Sequence, residues 1–317
     1  MNLVYFGNSH EYLSPSVRGL FKEVVGSDIM FLENEIKKQP EAFIRHIYSN
    51  EKFVQSEALN ALGLHIYRIM LARGVHNKRR VPTEYSLIKF FHENGYMMVE
   101  DFLNKETIDM LSEELELQRK SGTRKKMFYL NKVLDKNPGL LEFIKMCANV
   151  PYFSPDAPNG FPRSETWNHL HHKSDPQYKF HTDTFQPTFK CWIYIDDVTS
   201  AQGPLNVVPQ SHILTETRLK WDFQNSIISP QDDLWNSRIQ QAGQPGSFRV
   251  FEGGTEIDES AEIDRLGYKK PVVCSGKRNT FVAANTYAFH KRGMGSTGTE
   301  RNSLSIQYRP WAFGNYK

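Results

Sequence analysis

Apolar positions near the start of the chain recur at helical spacing. Phe43, Ile44 and Ile47 form one stripe, and Leu62, Ile66, Ile69 and Met70 form a second. The pattern predicts an N-terminal helical extension over residues 1–85. His46 and His65 lie on or beside these stripes and read as packed histidines. Residues 74–82 are polar and basic and end in Pro82, which reads as a loop.

A second unit begins near Tyr85. Gly95 precedes a β-type run, Tyr96 to Val99. Asn104 is placed as the N-cap of a helix that shows Ile108, Leu111 and Leu115 on one face, with Gly122 as its stop. Residues 127–130 read as a short strand. Pro138 and Gly139 introduce a helix carrying Leu140, Ile144 and Cys147.

From Tyr178 onward the pattern becomes one of short strands, predicted at 178–184, 190–195, 205–208, 246–251, 271–273, 280–283 and 303–308. Gly203-Pro204, Gly253-Gly254, Gly276 and Gly293 punctuate them. Many short strands with such turns predict a sandwich or jelly roll. The fold class expected is mainly β with flanking helices, over residues 86–317. Residues 213–270 exceed what a connecting loop needs and read as a lid or specificity insertion. Its Arg218, Trp221, Phe223, Trp235 and Arg238 suit a polar or anionic small molecule.

Composition narrows the class. The 317 residues are 39% hydrophobic and 13% aromatic, enough for a core and an apolar pocket. A formal net charge of +3, with Lys and Arg spread along the chain, argues against a nucleic-acid binder. Cys147, Cys191 and Cys274 are far apart and form no C-x-x-C, so no disulfide framework or zinc knuckle is expected. A reducing cytoplasm fits that usage. No apolar run approaches the roughly 18 residues of a membrane span, and the N-terminus does not resemble a secretory signal.

The candidate chemistry centres on His181 and Asp183. His181 is the one histidine with an acidic residue two positions on. Read as a strand, the run turns both side chains to one face. Two histidines and one carboxylate with open positions form the ligand set of non-haem Fe(II) oxygenases. Downstream, His212 and His290 are the candidates for the third ligand. Arg301, 11 residues after His290, opens an alternating strand. A cation on a core strand needs an anionic partner, and a guanidinium grips a carboxylate bidentately. A keto dicarboxylate such as 2-oxoglutarate would satisfy the metal at one end and the arginine at the other.

An ordered series of motifs makes the comparison specific. It runs from Phe91 to Phe102, then His181-Thr-Asp183, then Trp192 to Asp197. It continues through Gly203 to His212, Gly276 before Thr280-Phe-Val, and Phe289-His290 with Arg301 eleven on. Over roughly residues 86–311 the chain resembles the phytanoyl-CoA dioxygenase family of Fe(II)/2-oxoglutarate-dependent oxygenases. The resemblance implies a double-stranded β-helix, a cupin-like jelly roll. It implies His181, Asp183 and His290 as iron ligands, Arg301 as the 2-oxoglutarate anchor and Trp192 as a wall of that pocket. Lys126 lies where a co-substrate lysine is sometimes found, and Ser303 shares a strand face with Arg301. Asp at 183, in place of Gly or Ala, argues against the halogenating branch. The implied activity is O₂-dependent hydroxylation of a small metabolite, with release of succinate and CO₂.

Other features read as peripheral. His212 closes a Pro-x-Ser-His turn and reads as structural. His169, His171 and His172 lack a carboxylate at a regular offset and read as pocket rim or surface. Lys291 and Arg292 suit either an anionic substrate or a solvated loop. Residues 293–298 precede a strand, not a helix, which argues against a phosphate loop. Two other classes stay open: a non-catalytic cupin-like binding module, and an O₂-independent isomerase or lyase on the same fold.

Overall fold

The computed structural model describes residues 60, 61, 65, 66, 69, 72, 73, 84–121, 128–149, 159–166, 176–228, 256–257 and 261–308. The chain divides into two compact units, residues 1–72 with 215–255, and residues 73–214 with 256–317. Most of the predicted N-terminal extension, Lys126, the His169 cluster and the 246–251 strand lie outside the described residues.

The larger unit opens with helix α1 (Ser86–Asn94) and strand β1 (Tyr96–Val99). Gly95 joins them at φ +78, and its N–H caps the helix by donating to the Phe91 carbonyl. That left-handed turn favours glycine. Helix α2 (Lys105–Ser121) starts at Asn104, whose Oδ1 accepts the Thr107 N–H at 2.8 Å, the N-cap expected from sequence. Helix α3 (Phe128–Lys136) replaces the strand expected at 127–130. The run continues to Val133 and Leu134 at helical spacing, which a four-residue window does not show. Helix α4 (Pro138–Cys147) buries Leu140, Ile144 and Cys147 as its pattern requires.

Two five-stranded sheets follow, neither closed on the other. One has the order β1, β8 (Phe281–Asn285), β4 (Phe189–Tyr194), β10 (Glu300–Tyr308) and β2 (Asn159–Thr166). The other runs β6 (Glu256–Ile257), β3 (Phe180–His181), β9 (His290–Arg292), β5 (Leu205–Val207) and β7 (Val272–Val273). All pairings are antiparallel. The chain alternates between the sheets from β3 to β5 and again from β7 to β10, the winding of a double-stranded β-helix.

Strand alternation sorts the faces. Phe189, Cys191 and Ile193 of β4, with Leu304 and Ile306 of β10, pack with α1–α4 into an outer core. The opposite face of β4 contributes Trp192 and Tyr194 to a second cluster with Leu205 and Val207 of β5. This second cluster therefore lies between the sheets. Burying these two apolar sets supplies the main drive for the fold.

The smaller unit contributes helix α5 (Glu216–Ile228) to the described residues. Arg218 and Asp222 are buried and pair at 3.1 Å, with the guanidinium 5.5 Å from the Trp221 ring centre. Arg218 and Trp221, read from sequence as part of a lid or specificity insertion, pack with Asp222 within this helix. A buried arginine requires such a partner, and Asp222 lies one helical turn away.

Candidate metal centre

His181 and His290 are direct partners across β3 and β9, so their side chains leave the sheets on one face. Their ring centres are 4.5 Å apart. Val207, opposite His290 on β5, belongs to the inter-sheet cluster, which makes that face the interior one. His181 Nδ1 donates to the Lys179 carbonyl at 2.8 Å, and His290 Nδ1 donates to the Ala288 carbonyl at 2.9 Å. Both bonds fix the tautomer and leave each Nε2 lone pair aimed inward. His290 begins β9.

Asp183 reaches the same point by another route. Strand β3 stops at His181, so Asp183 is not on the strand face predicted for it. A bend carries it instead, and its N–H donates to the Thr286 carbonyl at 2.9 Å. Its Oδ1 lies 3.7 Å from both His181 Nε2 and His290 Nε2. Ligand atoms of the three residues lie within 4.8 Å of one another, the one such group of three among the described residues. Two imidazole nitrogens and one carboxylate oxygen suit a divalent transition metal.

Electrostatics favours the deprotonated forms of Asp183 and His290. Burial opposes ionisation of Asp183. The Lys190 charge first, and then the two neighbouring histidines, outweigh it and hold the carboxyl well below the usual range. Burial and then the neighbouring His181 lower the His290 pKa, with Asp183 opposing. A metal would therefore meet a carboxylate and a neutral His290.

Lys190 was not singled out in the sequence. Its Nζ lies 2.5 Å from Asp183 Oδ2. The signal available was its strand parity with Trp192, which places both on the inner face of β4. Ser211 was also missed. Its Oγ accepts the Phe289 N–H at 2.8 Å and donates to the Val208 carbonyl at 2.7 Å.

His212 is not part of this centre. Its Nε2 donates to the His92 carbonyl at 2.9 Å, and its ring fills the space over Gly95. A Cβ on Gly95 would fall 2.5 Å from His212 Nδ1. This is the structural role read from the turn.

Arg301 and Ser303 share the inner face of β10, since Ser303 pairs with the inward Tyr194. Arg301 is 6% exposed, and its Nη1 donates to the Gly203 carbonyl in the loop before β5. Trp192 lies opposite Ser305 and packs at the edge of the inter-sheet cluster. The next strand of the site diverges in direction: Lys291 turns outward over Phe180, with Nζ 4.7 Å from the ring centre. Arg292 pairs with the inward Leu205, beside Tyr178 and Gln177. Gly293 follows because a Cβ there would meet the Pro204 carbonyl at 2.6 Å.

No curated protein matches the chain. Among solved structures, the epimerase SnoN in complex with Fe3+, alpha ketoglutarate and nogalamycin RO is 13% identical, with a TM-score of 0.44 over 71% of this chain and 85% of that one. HygX from Streptomyces hygroscopicus with nickel and 2-oxoglutarate bound is 12% identical, with a TM-score of 0.42 over 71% and 86%. AviO1 from Streptomyces viridochromogenes is 15% identical, with a TM-score of 0.42 over 71% and 94%. These likenesses are distant and carry no argument about activity or ligands. The phytanoyl-CoA dioxygenase family matches residues 161–255, a segment that holds His181, Asp183, Lys190 and Trp192. Over this segment, about a third of its length, the chain resembles the phytanoyl-CoA dioxygenase family.

Proposed function

We propose that this chain is an Fe(II)- and 2-oxoglutarate-dependent dioxygenase that hydroxylates a C–H bond of a small polar or anionic metabolite. The observation that carries the reading is the convergence of His181 Nε2, His290 Nε2 and Asp183 Oδ1, with both imidazoles locked by backbone carbonyls. The donor set and its buried setting fit Fe(II). When bound, Fe(II) supplies the O₂ chemistry that couples decarboxylation of 2-oxoglutarate, to succinate and CO₂, with oxidation of the substrate.

The chain's own residues have distinct tasks. His181, Asp183 and His290 would hold the metal through two imidazole nitrogens and one carboxylate oxygen. Arg301, on the same inner surface, grips the distal carboxylate of 2-oxoglutarate, and its planar fork suits a bidentate contact. Ser303 adds a hydroxyl on that face, and Trp192 forms an apolar wall. The inter-sheet cluster keeps water from the pocket, which strengthens every charged contact inside it. Lys291 faces away from this interior, which leaves Arg292 as the neighbouring cation for an anionic substrate.

The test is direct. The protein is incubated with Fe(II), 2-oxoglutarate and O₂ against a metabolite library, and succinate is quantified. The reading expects wild-type succinate release that a matched compound stimulates and that Asp183→Ala abolishes. Succinate at the no-enzyme rate with every compound contradicts it.

A further inference from the structure

Lys190 places an ammonium group in the interior, beside three residues arranged for a cation. It sits on β4 in parity with Trp192 and Tyr194, so its side chain enters the space between the sheets. It is 17% exposed, and its Nζ is 2.5 Å from Asp183 Oδ2. Lysine is rarely buried unless it is paired. A divalent ion at the histidines would repel it, so the ligand set alone gives no reason for its presence.

The two oxygens of Asp183 have separate partners. Oδ1 lies 3.7 Å from each histidine Nε2, while Oδ2 belongs to Lys190. We propose that Lys190 is a positioning residue, a resident counter-ion that reserves Oδ2 and lets a divalent ion take Asp183 through Oδ1 alone. This inference rests on the metal-centre reading above. Two consequences follow. The carboxylate keeps its place without the metal, and a bidentate grip that would consume an open position is prevented. The ammonium also offsets the aspartate charge, so the metal binds more loosely by itself and gains more from a dianionic co-ligand. Metal and 2-oxoglutarate binding are then coupled, and the coupling is reciprocal.

The experiment uses the full chain and Mn(II), a redox-silent probe. Free Mn(II) is read by electron paramagnetic resonance, with and without 2-oxoglutarate, for wild type, Lys190→Met and Lys190→Arg. Lys190→Met is expected to bind Mn(II) about tenfold more tightly, because the metal becomes the sole cation facing Asp183. The strengthening of Mn(II) binding by 2-oxoglutarate should shrink in the same variant. Water-proton relaxation by the bound ion should also fall, as Oδ2 takes an open position. Lys190→Arg should restore wild-type behaviour.

A lysine that only supports local packing gives the opposite sign: Lys190→Met then binds Mn(II) more weakly or unchanged, and the inference is overturned. If Lys190→Met is unfolded without metal, thermal melts decide. Recovery of a cooperative transition on adding Mn(II) supports the counter-ion role, and continued absence of one overturns it. Wild type that binds no Mn(II) sinks the metal-centre reading itself, whereas wild-type binding unaltered in Lys190→Met sinks this inference alone.

Discussion

The Ser211 hydroxyl accepts the Phe289 N–H at 2.8 Å, across 78 residues of sequence, and so fixes the backbone immediately before His290. Ser211 is fully buried, and its own proton goes to the Val208 carbonyl. Ser211→Ala leaves a buried N–H without its acceptor, at a cost of about 1–3 kcal/mol. Urea unfolding should show that loss. Mn(II) titration should show weaker metal binding, because His290 loses its support.

Arg301→Ala should separate the two ends of the co-substrate site. Mn(II) affinity without 2-oxoglutarate should stay near the wild-type value, since Arg301 is not among the metal-ligand group. Affinity for 2-oxoglutarate in the Mn(II)-loaded protein should fall by about tenfold or more, the loss of a charge-assisted bidentate contact. Arg301→Lys should recover part of it, as a point charge without the planar fork. Calorimetric titration reads both quantities. Equal 2-oxoglutarate affinity in wild type and Arg301→Ala would remove Arg301 from the site.

Gly95→Ala tests how the Pro-x-Ser-His turn is packed. The new methyl would sit 2.5 Å from His212 Nδ1, on a residue whose φ is +78. The left-handed backbone alone costs about 1–2 kcal/mol for a residue with Cβ. Displacing His212 should add to that. The midpoint of thermal unfolding should drop, and Gly95→Ala combined with His212→Ala should recover part of the loss.

Stability should fall on mild acidification, and His92 is one cause. Burial holds its pKa below the ordinary 6.5, with its bond to the Met146 carbonyl partly opposing. The unfolded chain therefore takes up a proton at higher pH than the fold does. Stability is unaffected while both states are neutral, and it declines as pH falls through 6.5 toward the lower folded value. His290 shifts the same way and adds to the slope. Denaturant unfolding between about pH 7.5 and 5.5 should show a shallower decline in His92→Gln than in wild type.

Much of the site was legible because its parts are local or ordered. His181 and Asp183 are two residues apart, and Arg301 opens a strand whose alternation can be read from Leu304 and Ile306. The physical route to Asp183 was not legible: a two-residue strand gives no periodicity, and the bend is held by Thr286, far along the chain. Strands β2 and β9 were missed for related reasons. β2 contains Gly160 and Pro162, which read as turn residues, yet it pairs along β10 at the sheet edge. β9 has three residues, two of them cationic, and its identity comes from pairing with β3 and β5. Lys190 and Ser211 act through contacts that only the folded chain creates.

The central claim is that His181, Asp183 and His290 hold Fe(II) beside a 2-oxoglutarate site. Its most direct test is anaerobic addition of Fe(II) and then 2-oxoglutarate, followed by visible absorption. The account predicts a weak metal-to-ligand charge-transfer band in wild type that His290→Ala lacks and Arg301→Ala shows only at much higher 2-oxoglutarate. A folded wild-type protein that develops no band at millimolar co-substrate would contradict it.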